Sequence, residues 1–397
     1  MSELISIAEA QRLILEQVRP LPSEPVALAD AAGRVLTSPI RAAVDLPPFP
    51  SSAMDGFAVR ASETPGRFPI AFRIAAGRPA IRALAEGEAM AIATGGVVPE
   101  GADAVVPVEY VVQNDNSVEI PEPARSGASI RPRGGDVAAG DIVVPAGTRL
   151  APAHIGAAAA AGAERCECAR QPRAFVLATG TELQAPGRPL VPGQVYEANG
   201  IMLAAQLATA GASVADVVSV EDDPGSHRAA LERGLGGDVL VTSGGVSVGP
   251  HDLVREVERE LGVEEVFWRV AVKPGKPIAF GVRGDTLVFG LPGNPVSALV
   301  GFELFVRPAL LALQGVAEPL PRFRPGSLGR AVSRNPHRDE LVRARSSLDD
   351  GEIQLDPVTG QESHMIARAA AADALVLIPR GDGTLDSGAR VDYLQLE

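Results

Sequence analysis

The sequence has little of what secreted and membrane-spanning proteins depend on. Its two cysteines, Cys166 and Cys168, form a C-x-C that supplies neither a disulfide framework nor a zinc-ligand set, so both are expected to be thiols of a reducing compartment. The opening residues carry charges throughout, unlike a signal peptide, and the alanine-rich stretch 153–163 is too short to cross a bilayer. These absences predict a cytoplasmic protein with no membrane partner.

Excess positive charge and metal-binding histidine patterns are missing as well. The 397 residues include 36 Lys and Arg against 49 Asp and Glu, and the formal net charge of −13 repels nucleic acid. The five histidines have no metal-ligand spacing, so surface or structural positions are expected for them. Nucleic acid is therefore not an expected partner, and a histidine-based metal site is not an expected feature.

The pattern of predicted elements divides the sequence into four parts, and the fold class is α/β plus β in a multidomain chain. A capping box at Ser6 begins a first helix, and short β-like runs broken by glycine and proline follow. From Arg173 onward, strands alternate with helices of about 10 residues, which predicts a doubly wound, mostly parallel sheet. The expected domains are a discontinuous N-terminal mixed domain (1–45 and 141–170), an inserted β-rich domain (46–140), an α/β domain (171–317) and a C-terminal small β domain (318–397).

Three strands of the α/β domain end in loops that contain glycine (179–182, 242–249 and 290–295), and the first two loops also carry hydroxyl groups. In an open α/β sheet such loops line the ligand crevice, and glycine lets backbone N–H groups approach phosphate oxygens. One such loop is often an ordinary turn, but three in one domain indicate a ligand that carries phosphate. The spacing matches neither a Walker A motif nor a dinucleotide fingerprint, and G-x-S-x-G is absent. The candidate ligand-binding residues are Thr179, Gly180, Ser243, Gly244, Gly245, Ser247, Pro292, Gly293, Asn294 and Pro295.

The segment VKPGKPIAFG, residues 272–281, holds Lys273 and Lys276 between prolines. Each proline fixes its own φ and restricts the residue before it, and Gly275 allows the backbone a close approach to another group. In so acidic a chain, two ammonium groups on a stiff loop predict a specific anion site.

Three carboxylates stand near the same strand ends. Glu182 follows the first strand, Asp222 ends another, and Asp252 opens a helix beyond the second loop. If the three converge, they suit Mg²⁺ beside a diphosphate. Each aspartate also has a purely structural interpretation, since Asp252 favours the dipole of its helix and Asp222 can shape a turn.

Four motifs appear in order along the chain: SSAMDGFAV (51–59), SGGVSVG (243–249), KPGKP (273–277) and GLPGNPVSA (290–298). Together they resemble the molybdopterin molybdenumtransferases, the MoeA and gephyrin E-domain family, and the resemblance runs the length of the chain. It implies that the α/β domain binds molybdopterin and that the C-terminal domain is a β-barrel. It also implies a homodimer, with the active site between the α/β domain of one subunit and the inserted domain of the other.

The reaction that this resemblance implies is molybdate insertion into adenylylated molybdopterin, releasing AMP and molybdenum cofactor with Mg²⁺ present. Two ammonium groups on a pre-shaped loop suit a tetrahedral dianion, because lysine acts as a point charge. By the resemblance, Asp222 and Asp252 are the Mg²⁺ ligands. The residues expected to serve activity are Asp55, Thr94, Glu182, Asp222, Asp252, Lys273 and Lys276. Those expected at molybdate are Lys273, Lys276, Ser297, Arg338 and Ser363.

The sequence departs from the family pattern at several positions. Gly135 stands where the family often has an acid in R-x-G-E-D, which leaves the role of Asp136 open. Arg269 stands where many members have lysine, and the motifs around Arg338 and Ser363 are altered. These four residues therefore carry weaker expectations than the lysine loop.

Two other functions remain open from the residues alone. A hydrolase of a nucleotide-like pyrophosphate would use the same α/β module, although the AMDG segment favours the transferase. A non-enzymatic scaffold, as in gephyrin, would use the dimeric surface, although the sequence shows no fused domain or long linker. The expected partners are a second subunit, the small-molecule substrates, a molybdopterin adenylyltransferase and molybdoenzymes.

Overall fold

A computed structural model describes residues 4–220, 223–245 and 253–396. The chain divides into two compact units. The first comprises Met1–Glu24, Gly33–Val35 and Ala169–Glu397, and the second comprises Pro25–Ala32 and Leu36–Cys168.

The part of the chain before Arg173 contains short strands and two α-helices among its described residues. They are α1 (Ile7–Gln17), β1 (Ser23–Ala27), β2 (Ile40–Arg41), β3 (Ser51–Ser52), β4 (Gly56–Val59), β5 (Gly66–Ile74), β6 (Ala89–Ile92), β7 (Ala104–Pro107), β8 (Val112–Gln113), β9 (Ser117–Ile120), β10 (Ile130–Arg131), β11 (Ile142–Val144), α2 (Pro152–Ala160) and β12 (Arg165–Ala169).

Helix α1 begins at the predicted cap but packs in an unexpected place. Ser6 Oγ accepts a hydrogen bond from the Glu9 N–H at 3.1 Å. Ala10 and Ile14 are buried in the core of the first unit, whereas Ala158 of α2 lies in a core of the second. The expected grouping of residues 1–45 with 141–170 is thus corrected for α1, because an amphipathic pattern defines a buried face and not what covers it.

The second unit contains a β-rich sheet and a smaller core. Within the described residues, strands pair in the order β7-β4-β6-β5-β9-β8. Separately, β2 pairs antiparallel with β11, and residues from 26–40 and 144–168 share one apolar core.

The next part of the chain alternates strands with helices, as predicted. The elements are β13 (Arg173–Thr179), β14 (Leu183–Gln184), β15 (Val195–Tyr196), α3 (Asn199–Thr209), β16 (Ser213–Val220), α4 (Pro224–Gly234), β17 (Val239–Ser243), α5 (Leu253–Glu260), β18 (Glu264–Trp268), β19 (Val272–Lys273), β20 (Ala279–Arg283), β21 (Thr286–Leu291), α6 (Pro295–Gly301) and α7 (Arg307–Leu313), with a π-helical turn between α6 and α7.

These strands form a sheet in the order β16-β13-β17-β21-β20-β18. The first four are parallel to one another, while β20 and β18 run antiparallel. Neighbouring residues of a strand face opposite sides, so Val176 lies in the core with α3 and α7, and Leu177 in the core with α4 and α5. The doubly wound, mostly parallel sheet is therefore confirmed, with β20 an element that the sequence analysis missed.

One helical run in this region is long and apolar. Pro295–Leu313, which spans α6 to α7, has the length and the mean hydropathy (1.8) of a segment that could cross a bilayer. However, 78% of that window is buried inside the protein, as in the core helix of a globular domain.

The last part of the chain closes into a barrel. Its elements are β22 (Arg324–Leu328), β23 (Val332–Ser333), β24 (Asp339–Asp349), β25 (Glu352–Pro357), α8 (Ile366–Ala369), β26 (Ala374–Ile378), β27 (Thr384–Leu385) and β28 (Arg390–Gln395). Strands pair in the order β24-β25-β22-β28-β26, and β26 pairs again with β24. The C-terminal β-barrel that the resemblance implied is confirmed, and the structure shows that it has five strands.

Candidate active site

Three neighbouring parallel strands of the α/β sheet end at one cavity. Strands β13, β17 and β21 finish side by side, because the carboxyl ends of parallel strands meet at the same edge of a sheet. The loops that follow them bound a cavity of about 720 Å³. The predicted residues in its lining are Thr179, Glu182, Ser243, Gly245, Pro292, Gly293, Asn294 and Pro295.

Gly244 lets these loops approach one another. Its φ is +97°, and a Cβ built there would lie 2.7 Å from Thr179 Oγ1 and 2.8 Å from the Thr179 carbonyl oxygen. Its N–H donates to the carbonyl of Leu291 at 3.0 Å. Gly244 therefore joins the ends of all three strands, and any side chain there would force them apart.

Asn199, the first residue of α3, is a cavity residue that the sequence analysis missed. Its Nδ2 donates to Ser243 Oγ at 2.8 Å and to the Gly293 carbonyl at 2.7 Å. One amide thus holds two of the three loops together. The only signal in the sequence was an asparagine at a helix start, a place that asparagine often occupies for capping alone.

Two carboxylates among the described residues line the cavity, and of these only Glu182 was predicted. The other, Glu197, is 8% exposed, and its Oε1 accepts the Gly200 N–H at 2.7 Å. The predicted residues Asp222, Ser247 and Asp252 lie outside the described residues. Among the residues that are described, no group of three His, Cys, Asp or Glu side chains is placed to hold a metal ion.

The lysine loop, residues 273–277, lies beside this cavity. Gly275 has φ +105°, and a Cβ there would lie 3.5 Å from the Ser297 carbonyl oxygen, so the loop lies close against α6. Pro277 is part of the cavity lining. The lysine loop thus reaches the cavity through Pro277, although neither ammonium group belongs to the lining.

The two lysines have different surroundings. Lys276 is exposed, whereas Lys273 Nζ lies 2.9 Å from Glu340 Oε1 of β24. They are the only lysines of the sequence, whose 36 basic side chains are otherwise arginines. That scarcity is a signal in the sequence, because it marks these two positions as ones where arginine does not serve.

Strand β24 also holds a barrel loop, residues 360–365, through a buried arginine. Arg343 is 1% exposed, and its guanidinium donates to the carbonyls of Gly360 at 2.9 Å, Met365 at 3.0 Å and Glu362 at 3.3 Å. Burial lowers the pKa of Arg343, and the charge of Glu362 opposes that shift. Three carbonyl groups thus compensate the buried charge and are themselves held in place.

This barrel loop reaches the helix that follows the third glycine loop. The Val296 N–H donates to the Ser363 carbonyl at 3.0 Å, which places Ser363 beside the start of α6. His364 and Ile366 line the cavity. A surface or structural position was expected for His364, so its place in the lining was missed.

Asp55 and Thr94 are in contact within the second unit. Asp55 Oδ1 accepts from the Thr94 N–H at 2.6 Å and from the Thr94 hydroxyl at 2.9 Å. Both bonds hold the pKa of Asp55 below its ordinary value, since they stabilise the carboxylate. Both residues are exposed.

Three further residues have positions that the motifs did not define. Arg338 is half-buried immediately before β24 and is not part of the cavity lining. Arg269 has φ +78°, and its guanidinium lies 3.7 Å from the ring centre of Trp268. Asp136, in the second unit, donates its N–H to the Leu46 carbonyl at 2.9 Å.

Comparison with known proteins gives matches along the whole chain. Three family models fit in order: the MoeA N-terminal region (domain I and II) at residues 5–162, a probable molybdopterin binding domain at 175–312 and the MoeA C-terminal region (domain IV) at 325–396. A solved structure, the molybdopterin biosynthesis MoeA protein from Pyrococcus horikoshii OT3, superposes with a TM-score of 0.84 at 26% identity, covering 99% of this chain and 100% of that one.

Curated relatives are similar over the same length. Molybdopterin molybdenumtransferase 2 from Mycobacterium tuberculosis is 38% identical over 406 residues, covering 98% of this chain and 99% of the relative. Molybdopterin molybdenumtransferase from Haemophilus influenzae is 33% identical over 398 residues, covering 98% of each. With full-length identity at this level and three regional models in order, the chain belongs to the MoeA family of molybdopterin molybdenumtransferases.

Proposed function

We propose that this protein inserts molybdenum from molybdate into adenylylated molybdopterin and releases AMP, the last step of molybdenum cofactor biosynthesis. The observation that carries the proposal is the meeting of three strand-end loops and the lysine loop at one cavity of about 720 Å³. The names of the curated relatives support the same activity.

In this proposal the strand-end loops bind the pyrophosphate of the substrate. The hydroxyls of Thr179 and Ser243 and the N–H groups of Gly245 and Gly293 are the donors, since all four residues line the cavity. The other predicted loop residues shape the backbone around these donors.

The lysine loop is proposed to hold molybdate. Lys273 and Lys276 each offer an ammonium group to the dianion, and lysine acts as a point charge that suits a tetrahedral ion. Ser297 lies against the loop at Gly275. The proposal further assigns Arg338 and Ser363 to the same ion, as the family resemblance implied.

Mg²⁺ belongs to the proposal as the ion that neutralises the pyrophosphate charge when bound. Glu182 and Glu197 fit it chemically, because both carboxylates line the cavity and Mg²⁺ prefers oxygen ligands. Asp222 and Asp252, the ligands that the resemblance implied, lie outside the described residues and stay predictions. Loss of AMP release in a chelator, with recovery on adding Mg²⁺, checks this part of the proposal.

The decisive experiment follows AMP release from adenylylated molybdopterin with Mg²⁺, with and without molybdate. Lys276→Gln is expected to remove the molybdate-dependent release, because Lys276 is exposed and free of a structural ion pair among the described residues. Arg283→Gln is the control, since it neutralises an exposed cation at the end of β20, the strand that follows the lysine loop. Equal turnover by Lys276→Gln and wild type contradicts the role of the lysine loop.

A plain dinucleotide assayed in parallel separates the transferase from a pyrophosphohydrolase. The transferase is expected to leave the dinucleotide intact and to require molybdate for rapid AMP release. Hydrolysis of the dinucleotide at a comparable rate without molybdate would favour the hydrolase instead.

We also propose that the protein works as a cytoplasmic homodimer in which Asp55 and Thr94 of one subunit serve the cavity of the other. An adenylyltransferase would supply the substrate and molybdoenzymes would receive the product. Asp55→Asn and Glu182→Gln are each expected to be inactive alone. Co-expressed, they should restore about a quarter of wild-type activity, because half of the dimers are mixed and each of those has one intact site. No recovery contradicts the shared site.

A further inference from the structure

Lys273 and Glu340 face each other across two paired strands. Strand β19 pairs in parallel with β24, with Lys273 in register with Glu340, and the ammonium lies 2.9 Å from the carboxylate. Glu340 is 8% exposed, whereas the Lys273 side chain is 43% exposed. The carboxylate is therefore fixed in the barrel wall, and the ammonium in contact with it still reaches solvent.

We propose that Glu340 is the internal counter-ion of the lysine loop and that it lowers the affinity of that loop for oxyanions. The inference rests on the proposed function, since it concerns the same lysines. Lys273 and Lys276 carry two positive charges, and the carboxylate of Glu340 leaves the group with one. A dianion that reaches Lys273 meets a negative charge on the same ammonium, and like charges at this separation repel.

This arrangement has a consequence for anion selection. A loop with two uncompensated ammonium groups in contact with solvent attracts any small dianion, including sulfate and phosphate. With Glu340 in place, such ions bind weakly, and occupancy depends on additional contacts that only the full site supplies. Glu340 also holds the flexible Lys273 side chain in one position, so the entropy of ordering it is lost before the anion arrives.

The test compares oxyanion binding by wild type, Glu340→Gln and Glu352→Gln. Glutamine keeps the shape and the acceptor oxygen of Glu340 but removes its charge. Glu352→Gln is the matched control, because it also removes one carboxylate charge that takes part in an ion pair. Glu352 lies in β25, in register with Asp349 at the far end of β24. Equilibrium dialysis with molybdate, tungstate and sulfate, without adenylylated molybdopterin, gives the dissociation constants.

Glu340→Gln is expected to bind molybdate about three- to tenfold more tightly, with a similar gain for sulfate, while Glu352→Gln stays within about twofold of wild type. Because the chain has only two lysines, ¹⁵N-lysine labelling reports both side chains by NMR during the titration. In a Lys273→Gln background, Glu340→Gln should give a smaller gain, since the ion pair through which Glu340 neutralises Lys273 is gone.

The outcomes separate this inference from the proposed function. Unchanged or weaker molybdate binding by folded Glu340→Gln overturns the inference, while normal AMP release by wild type leaves the function standing. Molybdate that binds at the lysines without AMP release contradicts the function alone. Absence of oxyanion binding in both wild type and Glu340→Gln contradicts the inference outright. If Glu340→Gln is thermally unstable, Glu340→Asp replaces it in the test. The shorter side chain moves the carboxylate away from Lys273, so this variant should bind molybdate about two- to threefold more tightly.

Discussion

The glycine loops after β13, β17 and β21 shape the cavity with their own backbone, whereas strand β24 of the barrel acts through side chains that hold other segments. Gly244 is required where strand ends meet, because there is no room for a Cβ. Glu340 and Arg343, by contrast, reach out to the lysine loop and to the barrel loop. The parts of a site that are formed by the backbone therefore depend on the residue type at each position. The parts that are held by side chains depend on which residues meet across the fold.

Gly244→Ala is expected to have the largest effect of any change in the two regions. Alanine is strained at this left-handed φ, and its Cβ would lie too close to Thr179. The substitution should therefore reduce the free energy of unfolding by roughly 2–4 kcal/mol and AMP release by at least about 100-fold. Denaturant unfolding and the AMP assay measure both. Gly284→Ala is the control, since Gly284 has φ +59° with no atom within 4 Å of a built Cβ, and it should cost only about 1 kcal/mol. Equal losses of stability and AMP release in Gly244→Ala and Gly284→Ala would contradict the special role of Gly244 at the strand ends.

Arg343→Met tests the barrel strand in the same way. Removing the guanidinium leaves the carbonyls of Gly360, Glu362 and Met365 without their donor, so the free energy of unfolding should fall by about 2–3 kcal/mol. AMP release should fall as well, because the barrel loop lines the cavity. Arg345→Met, at an exposed position further along the same strand, is the control and should change stability by less than about 0.5 kcal/mol. A stable Arg343→Met variant with full activity would show that the contacts of Arg343 with the barrel loop are not required.

Lys273→Ala and Lys276→Ala are expected to differ in stability although both should lose molybdate-dependent turnover. Lys273→Ala leaves the buried Glu340 carboxylate without its partner, so it should cost about 1–2 kcal/mol, less than a fully buried pair because Lys273 is partly exposed. Lys276→Ala should stay within about 0.5 kcal/mol of wild type. Thermal unfolding separates the two, and adding Glu340→Gln to Lys273→Ala should restore most of the loss. Identical stabilities would mean that β24 does not depend on the lysine loop.

Asn199→Asp should have the smallest effect and sharpens the comparison from the α/β side. Aspartate has the size of asparagine but lacks the Nδ2 donors to Ser243 and Gly293, so these loops lose one shared restraint. We expect kcat/KM for adenylylated molybdopterin to fall about 5- to 20-fold, mostly through KM, with little change in thermal stability. A loss confined to stability would make Asn199 a purely structural residue.

The elements of the α/β region could be predicted from the sequence because their signals are local. The hydrophobic runs of β13, β17 and β21 and the glycines that follow them identify strand ends, and strand ends of a parallel sheet meet at one edge. That rule predicts that Thr179, Ser243 and Gly293 lie close together, and all three line the cavity. The closed barrel rested on the family resemblance, since short strands alone do not specify closure.

The residues that prediction missed share a different property. Asn199, Glu197 and Glu340 have ordinary local roles in sequence, as a helix-start residue, an acid before a helix and a charge in a strand. The importance of Asn199 and Glu340 comes from the residues opposite them, which lie far away along the chain. Glu197 is important because its carboxylate lines the cavity. No periodicity or composition reports such a pairing.

By itself, the sequence determined the element types, the glycine positions that admit close backbone approach and the stiff loop that carries the only two lysines. Those features follow from φ preferences and hydrophobic periodicity, which act between near neighbours. Only the tertiary structure decided that Lys273 meets Glu340 while Lys276 stays exposed, and that α1 packs in the α/β core. The physical reason is that side-chain pairing depends on strand register and helix docking, which bring distant residues within a few ångströms of each other.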